Sequence, residues 1–447
     1  MKSNPDLSNL SEILASVMTS PGKVTVVGSL NVDITARVGK FPAPGETVPG
    51  SDLSYWPGGK SSNQAVAASK IGASVAMVGA VGHDAYGSFA QRRLADVGVD
   101  TSRVVTRDLP TGTALITVNA VGENTIVYSA GANQSVSRSD LQSAADVLQS
   151  ADVVALGFES PASVVAAAID VVRSGAHANK EMSAHMSART RAHIDQNNAP
   201  YQQPNDGADT REPLRSPQII LNYSPIIDVD SGLISGVDIV VVNEIELQAL
   251  GERYGFGQLP TQARGGLADV AKSNADAHAA MKAYAISDSA DGTAKEGVAS
   301  ENGLFAIARR IVGALGLRGL IVTLGPEGCF VVESDDSLER GDVNPTSDAG
   351  LTYRADSVES AHATDNASSA NGVYVQGYPV DAVDSTGCGD CFMGTVTASI
   401  ASGRGLVDSA RLATFVASRA ATKQGAQSSY FSAEELSGEF KVDQPNP

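Results

Sequence analysis

The chain of 447 residues contains 32 basic and 50 acidic residues, and the formal net charge of −18 argues against a surface that binds nucleic acid or an anionic membrane. Hydrophobic residues make up 42% of the sequence, enough for a large core, yet no apolar run approaches the ~20 residues of a membrane span and no signal peptide is expected. Three cysteines (Cys329, Cys388 and Cys391) are too few for a disulfide framework, so a reducing compartment, the cytoplasm, is expected.

Apolar runs that alternate with helical periods predict the main fold. Residues 1–22 form a polar N-terminal extension with one short helix expected from Asp6 to Met18. A buried strand follows at Val24–Gly28, and five similar runs lie at Val75–Gly79, Val153–Gly157, Ile219–Asn222, Ile239–Asn243 and Leu320–Gly325. Helical periods include Asn63–Ile71, Phe89–Val97 and Ala162–Val172. The pattern predicts an α/β fold with a mostly parallel central sheet and helices on both faces.

One region alternates polar and apolar residues instead. Thr111–Val118 and Thr125–Ser129 are typical of a hairpin, and Thr47–Trp56 is expected to join it. Segments 47–56 and 111–129 therefore predict a small antiparallel β flap beside the main sheet.

Three polar segments interrupt the pattern at residues 174–217, 255–302 and 334–371. Each is poor in large apolar residues and cannot bury enough surface to offset the entropy of ordering, so we expect surface insertions. Without them roughly 300 residues remain, which suits one large α/β domain. We place this domain at residues 23–433, followed by a C-terminal tail at 434–447.

The segment Asp384-Ser-Thr-Gly-Cys-Gly-Asp390 precedes a helical run and is the sharpest motif. A turn at Gly387–Gly389 that opens a helix presents backbone N–H groups to an anion such as a transferring phosphoryl group. Asp390 could then accept the proton of an attacking hydroxyl, although an aspartate that caps the helix is the common alternative. A redox or zinc role for the CxxC at Cys388 and Cys391 is disfavoured, because no second CxxC or nearby histidine accompanies it.

Three further motifs lie where a strand ends or a helix begins. Gly58-Gly-Lys-Ser61 lacks the first glycine of a phosphate-binding P-loop, so we favour hydrogen bonding of Lys60 and Asn63 to a polyhydroxylated ligand, with an ordinary loop as the alternative. Asn31 and Asp33 share one side of the chain after the first strand and could bind vicinal hydroxyls, unless they form a plain turn. Asn243-Glu-Ile-Glu246 could hold Mg²⁺ through water or could form a helix-capping pair.

These motifs stand in the order seen in the ribokinase-like (PfkB) carbohydrate kinases, which the sequence resembles. The resemblance is carried by Gly28-Ser-Leu-Asn-Val-Asp33, Phe41-Pro-Ala-Pro-Gly-Glu-Thr-Val48, Gly58-Gly-Lys-Ser-Ser-Asn63, Asn243-Glu-Ile-Glu246 and Asp384-Ser-Thr-Gly-Cys-Gly-Asp390. Gly131-Ala-Asn133 and Lys423-Gln-Gly-Ala-Gln427 extend it. It covers about residues 23–433 outside the three polar segments.

The resemblance implies ATP-dependent phosphorylation of D-ribose at O5. The positions that match ribose contacts in the family are Asn31, Asp33, Gly59, Lys60, Asn63, Glu159 and Asp390. Asp390 also matches the general base, and Gly387, Cys388 and Gly389 match the anion hole. The β flap matches a lid that shields the sugar and pairs with a second subunit, which implies a homodimer.

The resemblance also implies a nucleotide site and two cation sites. The positions that match nucleotide contacts are Asn243, Thr323, Gly325, Gly328, Gly389 and Thr414. Glu246 matches the acidic position linked to Mg²⁺ through water. The positions that match the site for K⁺ or a similar monovalent cation are Asp384, Thr386, Ala420, Lys423, Gly425 and Ser429.

The sequence departs from the family pattern at three of these places. Cys388 replaces the usual alanine, Ser61 replaces a glycine near the sugar, and Thr414 lies where a larger polar residue usually lines the adenine pocket. Other sugar or nucleoside kinases of the same fold, such as a deoxyribokinase or a fructokinase, remain alternatives. A non-catalytic sugar-binding protein is a further alternative, but it would not need Asp390, the Gly387–Gly389 turn or Asn243 and Glu246.

Overall fold

The computed structural model describes residues 5–175, 216–256, 304–334 and 371–442. Within them the strands are β1 (Lys23–Val27), β2 (Asn31–Arg37), β3 (Ser54–Gly58), β4 (Ser74–Gly82), β5 (Asp100–Arg107), β6 (Gly112–Val118), β7 (Asn124–Ser129), β8 (Val153–Gly157), β9 (Gln218–Asn222), β10 (Ile239–Asn243), β11 (Gly319–Thr323), β12 (Gly328–Glu333) and β13 (Asn371–Gln376). Nearly all of each predicted polar insertion lies outside the described residues.

The helices of the same residues are α1 (Pro5–Thr19), α2 (Lys60–Lys70), α3 (Ala85–Ala95), α4 (Arg138–Ser143), α5 (Ala145–Gln149), α6 (162–175), α7 (Ser231–Ser235), α8 (Glu244–Arg253), α9 (Leu304–Leu315), α10 (Cys388–Ala401), α11 (Leu406–Ala420) and α12 (Ala433–Val442). None of these described helices has the length and apolarity needed to cross a bilayer.

The main sheet has nine strands among the described residues, in the order β13-β12-β11-β10-β9-β8-β1-β4-β5. The strands from β11 to β5 run parallel to their neighbours, and only β12 and β13 are antiparallel. Val24 and Val26 of β1 pack with α2 and α10 on one face, whereas Val27 packs on the other with residues of α6, α8 and α9. Because both faces are covered, the central strands are apolar throughout, and the predicted α/β fold class is confirmed.

The second sheet has the order β3-β2-β6-β7, and it forms the flap predicted from the hairpin pattern. Its outer pairs are antiparallel, but β2 and β6 run parallel at its centre. The interpretation of Asn31 and Asp33 as residues of a plain turn is wrong, because both belong to β2. Because β2 begins with polar residues, its sequence does not show the apolar run of a buried strand. It is one of the two central strands of the flap and contains the candidate site residues Asn31 and Asp33.

The two ends of the described chain pack together rather than extending from the domain. In α1 the side chains of Leu10, Ile13, Leu14 and Val17 follow helical spacing and are fully buried. They share one apolar core with Leu436 and Phe440 of α12. The description of residues 1–22 as an extension and 434–447 as a tail is therefore wrong for the helical parts of both segments.

Candidate active site

The turn at Gly387–Gly389 and the helix that follows it hold Asp390 in the interior. Gly387 has φ +73°, a left-handed conformation, and a Cβ there would lie 2.6 Å from Ala426 Cβ and 2.7 Å from Tyr430 Oη. Its carbonyl accepts a hydrogen bond of 2.8 Å from the Tyr430 hydroxyl. A Cβ on Gly389 would meet open space. The start of α10 is thus packed tightly against Ala426 and Tyr430 at Gly387, whereas the space beside Gly389 is open.

The Cys388 backbone N–H is the exception among the three predicted anion-hole groups. It donates to the Ser385 carbonyl at 3.2 Å, so this N–H is already used within the turn. Its thiol points towards the Asp384 carbonyl at 4.0 Å. Burial raises the pKa of the Cys388 thiol to about 11 and also raises the pKa of Cys391, which leaves neither thiol reactive near neutral pH.

Asp390 is 7% exposed and accepts hydrogen bonds from two amides of α2. Asn63 Nδ2 lies 2.9 Å from Asp390 Oδ2, and Gln64 Nε2 lies 3.4 Å from Oδ1. Burial raises the pKa of Asp390 to about 6, and the charge of Lys60 and the bond from Asn63 oppose part of this increase. At pH 7 the carboxylate is ionised and can take up a proton.

Two more carboxylates approach Asp390 from other elements. Burial, together with repulsion from Glu159 and then from Asp390, raises the pKa of Asp33 in β2 to about 6. Glu159, which follows β8, accepts hydrogen bonds from the Ser29 hydroxyl and, at 2.9 Å, from the Lys60 backbone N–H. Three acids and Lys60 therefore surround one point at the start of α2, and the predicted ribose contacts lie together.

Glycines allow this close approach. A Cβ on Gly58 would lie 2.5 Å from Asp33 Cγ, so only glycine leaves room for the carboxylate. Gly59 has φ +94°, which favours glycine, and it is the N-cap residue of α2. Ser61 is tolerated despite the family's preference for glycine, because its hydroxyl occupies the space that a Cβ on Gly28 would need.

Asn31 is held by a residue to which the sequence analysis assigned no role. Asn133, fully buried in the 3₁₀ turn Gly131–Ser135, donates to Asn31 Oδ1 at 2.7 Å and to the Leu30 carbonyl at 3.2 Å. Its own Oδ1 accepts from the Leu30 N–H at 2.9 Å. Since the Asn31 oxygen is used in this way, its NH₂ group, which also contacts the Tyr128 hydroxyl, is the part that can donate to a ligand.

Two of the predicted nucleotide residues lie at the neighbouring ends of β10 and β11, whereas Gly389 belongs to α10 and Thr414 to α11. Asn243 and Thr323 are in register in these parallel strands. Asn243 also caps α8: its Oδ1 accepts from the Glu246 N–H at 2.9 Å, and Glu246 Oε2 accepts from the Asn243 N–H at 2.8 Å. The capping pair that the sequence left open is thus present, and it fixes Glu246, 7% exposed, at the sheet edge.

Gly325 and Gly328 bound the short turn between β11 and β12, with φ +56° and +107°. Thr414 of α11 lies behind this turn, because its hydroxyl is 3.5 Å from the Sγ atom of Cys329, the residue that pairs with Thr323. The same hydroxyl donates to the Ala410 carbonyl at 2.8 Å. Its hydrogen is therefore used inside the helix rather than offered to a ligand.

The two segments predicted to bind a monovalent cation are joined by one carboxylate. Asp384 Oδ1 accepts from the Thr386 N–H and Oδ2 from the Gly425 N–H, each at 2.9 Å. These bonds lower the pKa of Asp384 against the opposing effect of burial. The Ala420 carbonyl accepts from the Lys423 N–H at 3.1 Å, and Ser429 Oγ donates to Ala426 at 2.7 Å. Lys423 Nζ itself turns away, over the ring of Phe431 and 3.7 Å from Glu435.

A metal centre built from several side chains is not found in the part of the chain described here, where no three His, Cys, Asp or Glu side chains converge. His83 is exposed, and the other five histidines fall outside the described residues. The cation sites implied by the family resemblance would each use a single carboxylate together with water, hydroxyl or backbone oxygens, and these sites stay predictions.

Sequence reasoning missed the residues that hold the site residues in place. Gln64, Asn133, Gln427 and Tyr430 are all buried and contact predicted site residues. Gln64, Asn133 and Gln427 stand inside or next to motifs used for the family resemblance. A polar residue in a segment otherwise expected to be buried is the feature that could have revealed them.

The sequence is similar to those of known carbohydrate kinases. The profile of the pfkB family carbohydrate kinase matches residues 22–196 and 360–433, more than half of the chain. Ribokinase of Haemophilus influenzae is 24% identical over 409 residues, which cover 91% of this chain and 94% of that protein. Mouse ribokinase is 40% identical over 154 residues, 34% of this chain and 48% of the mouse protein.

Solved structures share the fold. Ribokinase from Thermotoga maritima aligns with a TM-score of 0.61 at 21% identity, over 94% of this chain and 99% of that structure. Ribokinase from Arabidopsis thaliana, solved with ribose and ATP, gives 0.60 at 20% identity, with the same coverage. With the profile match, the motif order and the acids gathered around Asp390, these similarities confirm that the chain belongs to the pfkB family of carbohydrate kinases.

Proposed function

We propose that the protein is a ribokinase, which transfers the γ-phosphoryl group of ATP to O5 of D-ribose. The observation that carries the proposal is the buried Asp390 at the open first turn of α10, surrounded by Lys60, Asn63, Glu159 and Asp33. Several relatives that match this chain are named ribokinase, two of them along nearly the whole chain.

The reaction needs a base and a site for developing negative charge. Asp390 would take the proton of the ribose 5-hydroxyl while O5 forms its bond to the γ-phosphorus and the bond from phosphorus to the bridging oxygen of ADP breaks. The backbone N–H groups at Gly387 and Gly389 would face the transferring group at the positive end of α10. The Cys388 N–H would contribute only after leaving the Ser385 carbonyl.

The sugar would be recognised by groups of opposite hydrogen-bonding character. Asn31 offers its NH₂ group, Lys60 its ammonium group, and Asp33 and Glu159 their carboxylate oxygens. Gly59 and Asn63 would complete the contacts at the start of α2. A pocket with both donors and acceptors rejects a ligand that lacks a matching hydroxyl, because a buried group is left unpaired.

ATP would lie along the ends of β10 and β11, against Asn243, Thr323 and the turn from Gly325 to Gly328. Thr414 would contribute packing behind this turn. Mg²⁺ would neutralise charge on the phosphates when bound. Glu246 fits its water shell, because the capping bond holds the carboxylate at the same strand end.

A monovalent cation such as K⁺ would bind between the segments around Asp384 and Gly425. A set with one carboxylate and several carbonyl or hydroxyl oxygens, from Thr386, Ala420, Lys423 and Ser429 among others, suits a large, weakly hydrated ion. By fixing both segments it would hold the Gly387–Gly389 turn in place. The cytoplasmic location expected from the sequence stays a prediction.

The flap would act as a lid and as the contact with a second copy of the chain. Its apolar side chains are unusually exposed, with Trp56 48%, Val127 65% and Ile126 57% accessible. Exposed apolar patches of this kind mark protein contacts. The same sheet contributes Asn31 and Asp33 through β2, so closing the lid and completing the sugar site would be one event.

The decisive experiment measures kcat/KM with Mg²⁺-ATP for D-ribose, 2-deoxyribose, fructose and a set of nucleosides. Ribose should exceed 2-deoxyribose and fructose by roughly ten-fold or more, the effect of about one lost hydrogen bond. A preference for fructose or a nucleoside would reassign the substrate. Binding of ribose without phosphoryl transfer would favour the sugar-binding alternative.

A further inference from the structure

A buried chain of three polar side chains ends at Asp390. Gln427, in the loop between α11 and α12, is 8% exposed, and its Nε2 lies 2.9 Å from Asn63 Oδ1. Asn63 Nδ2 in turn lies 2.9 Å from Asp390 Oδ2. These two hydrogen bonds connect the loop between α11 and α12, called the C-terminal loop below, to α2 and α10.

The direction of this chain follows from the chemistry of its end. An ionised carboxylate only accepts hydrogen bonds, so Asn63 must turn its NH₂ group towards Asp390. The Asn63 oxygen then faces Gln427, which must donate from its own NH₂ group. The same Gln427 nitrogen donates to Ser62 Oγ at 2.9 Å, so both of its hydrogens are used.

We propose that Gln427 is a positioning residue, which locks the Asn63 amide with its NH₂ group towards Asp390 and so holds the base in its proton-accepting form. The inference rests on the proposed function, in which Asp390 is the general base. Gln427 is hydrogen-bonded to Asn63 and would act on Asp390 through it.

The lock also selects the oxygen that receives the proton. A proton on Asp390 Oδ2 would weaken the bond from Asn63, because a hydroxyl oxygen accepts less strongly than a carboxylate oxygen. Among the described residues, the hydrogen-bond partner of Oδ1 is Gln64, at the longer distance of 3.4 Å. The hydrogen of the ribose 5-hydroxyl is therefore transferred to Oδ1, as O5 binds phosphorus and ADP leaves.

Other titratable groups also influence the ionisation of Asp390, so the test variants must leave these residues unchanged. The titratable groups that interact with it are Lys60 of α2, Asp33 of β2, Glu159 after β8, Cys388 and Cys391 of its own helix, and Tyr430 of the C-terminal loop. None of them is part of the hydrogen-bonded chain, and none is altered in the variants below.

The test replaces Gln427 by Glu, which keeps the shape but cannot donate. Asn63 should then give its NH₂ group to the new carboxylate and present its oxygen to Asp390, which favours protonated Asp390. The pH at which kcat/KM for ribose falls to half on the acid side should rise by about one unit. The measurement is made at saturating Mg²⁺-ATP and K⁺ and at fixed ionic strength.

A double-mutant cycle separates the lock from the added charge. In an Asn63→Ala background, Gln427→Glu can act only through its charge and through any change in the C-terminal loop. The shift there should be smaller by at least about half a unit. Equal shifts in both backgrounds, or no shift in either, would overturn the proposal while ribose phosphorylation by the parent enzyme still stands.

Two further variants keep the test decisive if Gln427→Glu folds poorly. Gln427→Met removes the donor without a charge, frees the Asn63 oxygen and should raise the KM for ribose several-fold; unchanged KM and kcat would refute the lock. Ser62→Ala removes the other partner of Gln427. It should leave the pH at which kcat/KM falls to half on the acid side within ~0.3 pH unit of the parent value. A parent enzyme that phosphorylates no sugar would overturn the proposed function, and this inference with it.

Discussion

Replacing Asp390 by Asn should stabilise the protein while it destroys activity. Burial raises the pKa of Asp390 from 3.8 to about 6, a difference of roughly two units, and one unit corresponds to about 1.4 kcal/mol. Keeping the carboxylate ionised therefore costs the folded state about 3 kcal/mol above pH 6. Asparagine avoids this cost, but its NH₂ group would face the NH₂ group of Asn63 or Gln64, which offsets part of the stabilisation. We therefore expect the free energy of unfolding to increase by about 1–2 kcal/mol.

The sign of the pH dependence makes this prediction specific. A carboxylate whose folded pKa is raised favours folding fully only below its unfolded pKa near 3.8, and that contribution is lost as the pH rises through about 6. The free energy of unfolding in urea should thus favour Asp390→Asn at pH 8 and show almost no difference near pH 4. The kcat for ribose should fall at least ~10²-fold at pH 8, as for loss of a general base.

The matched control is Asp381→Asn, which makes the same substitution at an exposed aspartate. It should change neither the free energy of unfolding nor kcat. Gln64→Glu is not a suitable control, because it adds a charge beside Asp390. If Asp390→Asn were destabilised equally at both pH values, the burial cost assigned to the carboxylate would be wrong. Activity within a few-fold of the parent would remove Asp390 from the role of base.

The remaining predictions concern the cation, the glycine turn and the lid. Exchange of K⁺ for Na⁺ at constant ionic strength should lower kcat several-fold, since the Gly387–Gly389 turn is less well fixed; equal rates in K⁺, Na⁺ and a bulky organic cation would leave the Asp384 site without a role. Gly58→Ala should displace the Asp33 carboxylate and raise the KM for ribose roughly ten-fold, whereas Gly39→Ala, which meets nothing within 4 Å, should not. Val127→Asp on the exposed lid face should yield a monomer in sedimentation, against an unchanged dimer for the exposed Val383→Asp; a parent that is itself monomeric would refute the lid contact.

The central strands were predictable because burial on both faces leaves an unbroken apolar run. All six predicted strands are present, as β1, β4, β8, β9, β10 and β11. Two of the strands that escaped prediction have other patterns. β2 begins with the polar residues Asn31 and Asp33, and β5 alternates exposed and half-buried positions at the edge of the sheet. Apolarity alone does not separate such strands from loops.

The site was predictable in its motifs but not in its hydrogen bonds. Glycine turns and acids at strand and helix ends predict roles for Asp33, Lys60 and Asp390, and the structure brings these three side chains close enough to interact. The bond from Gln427 to Asn63 joins residues 364 positions apart. Local sequence does not encode such a pairing, nor which end of an amide faces a carboxylate.

The packing of α1 against α12 bears on how the domain forms. Arg404 Nε donates to Ser16 Oγ at 3.0 Å, and the Ser437 hydroxyl lies 3.7 Å from Met18 Sδ, contacts that span about 390 and 420 positions of sequence. Contacts between such distant residues are slow to form. During synthesis the apolar stripe of α1, with Leu10 and Leu14, has no α12 to pack against until residues 433–442 have left the ribosome. A chain released before α12 is made would expose that stripe, so incomplete products should be recognisable to chaperones and proteases through α1.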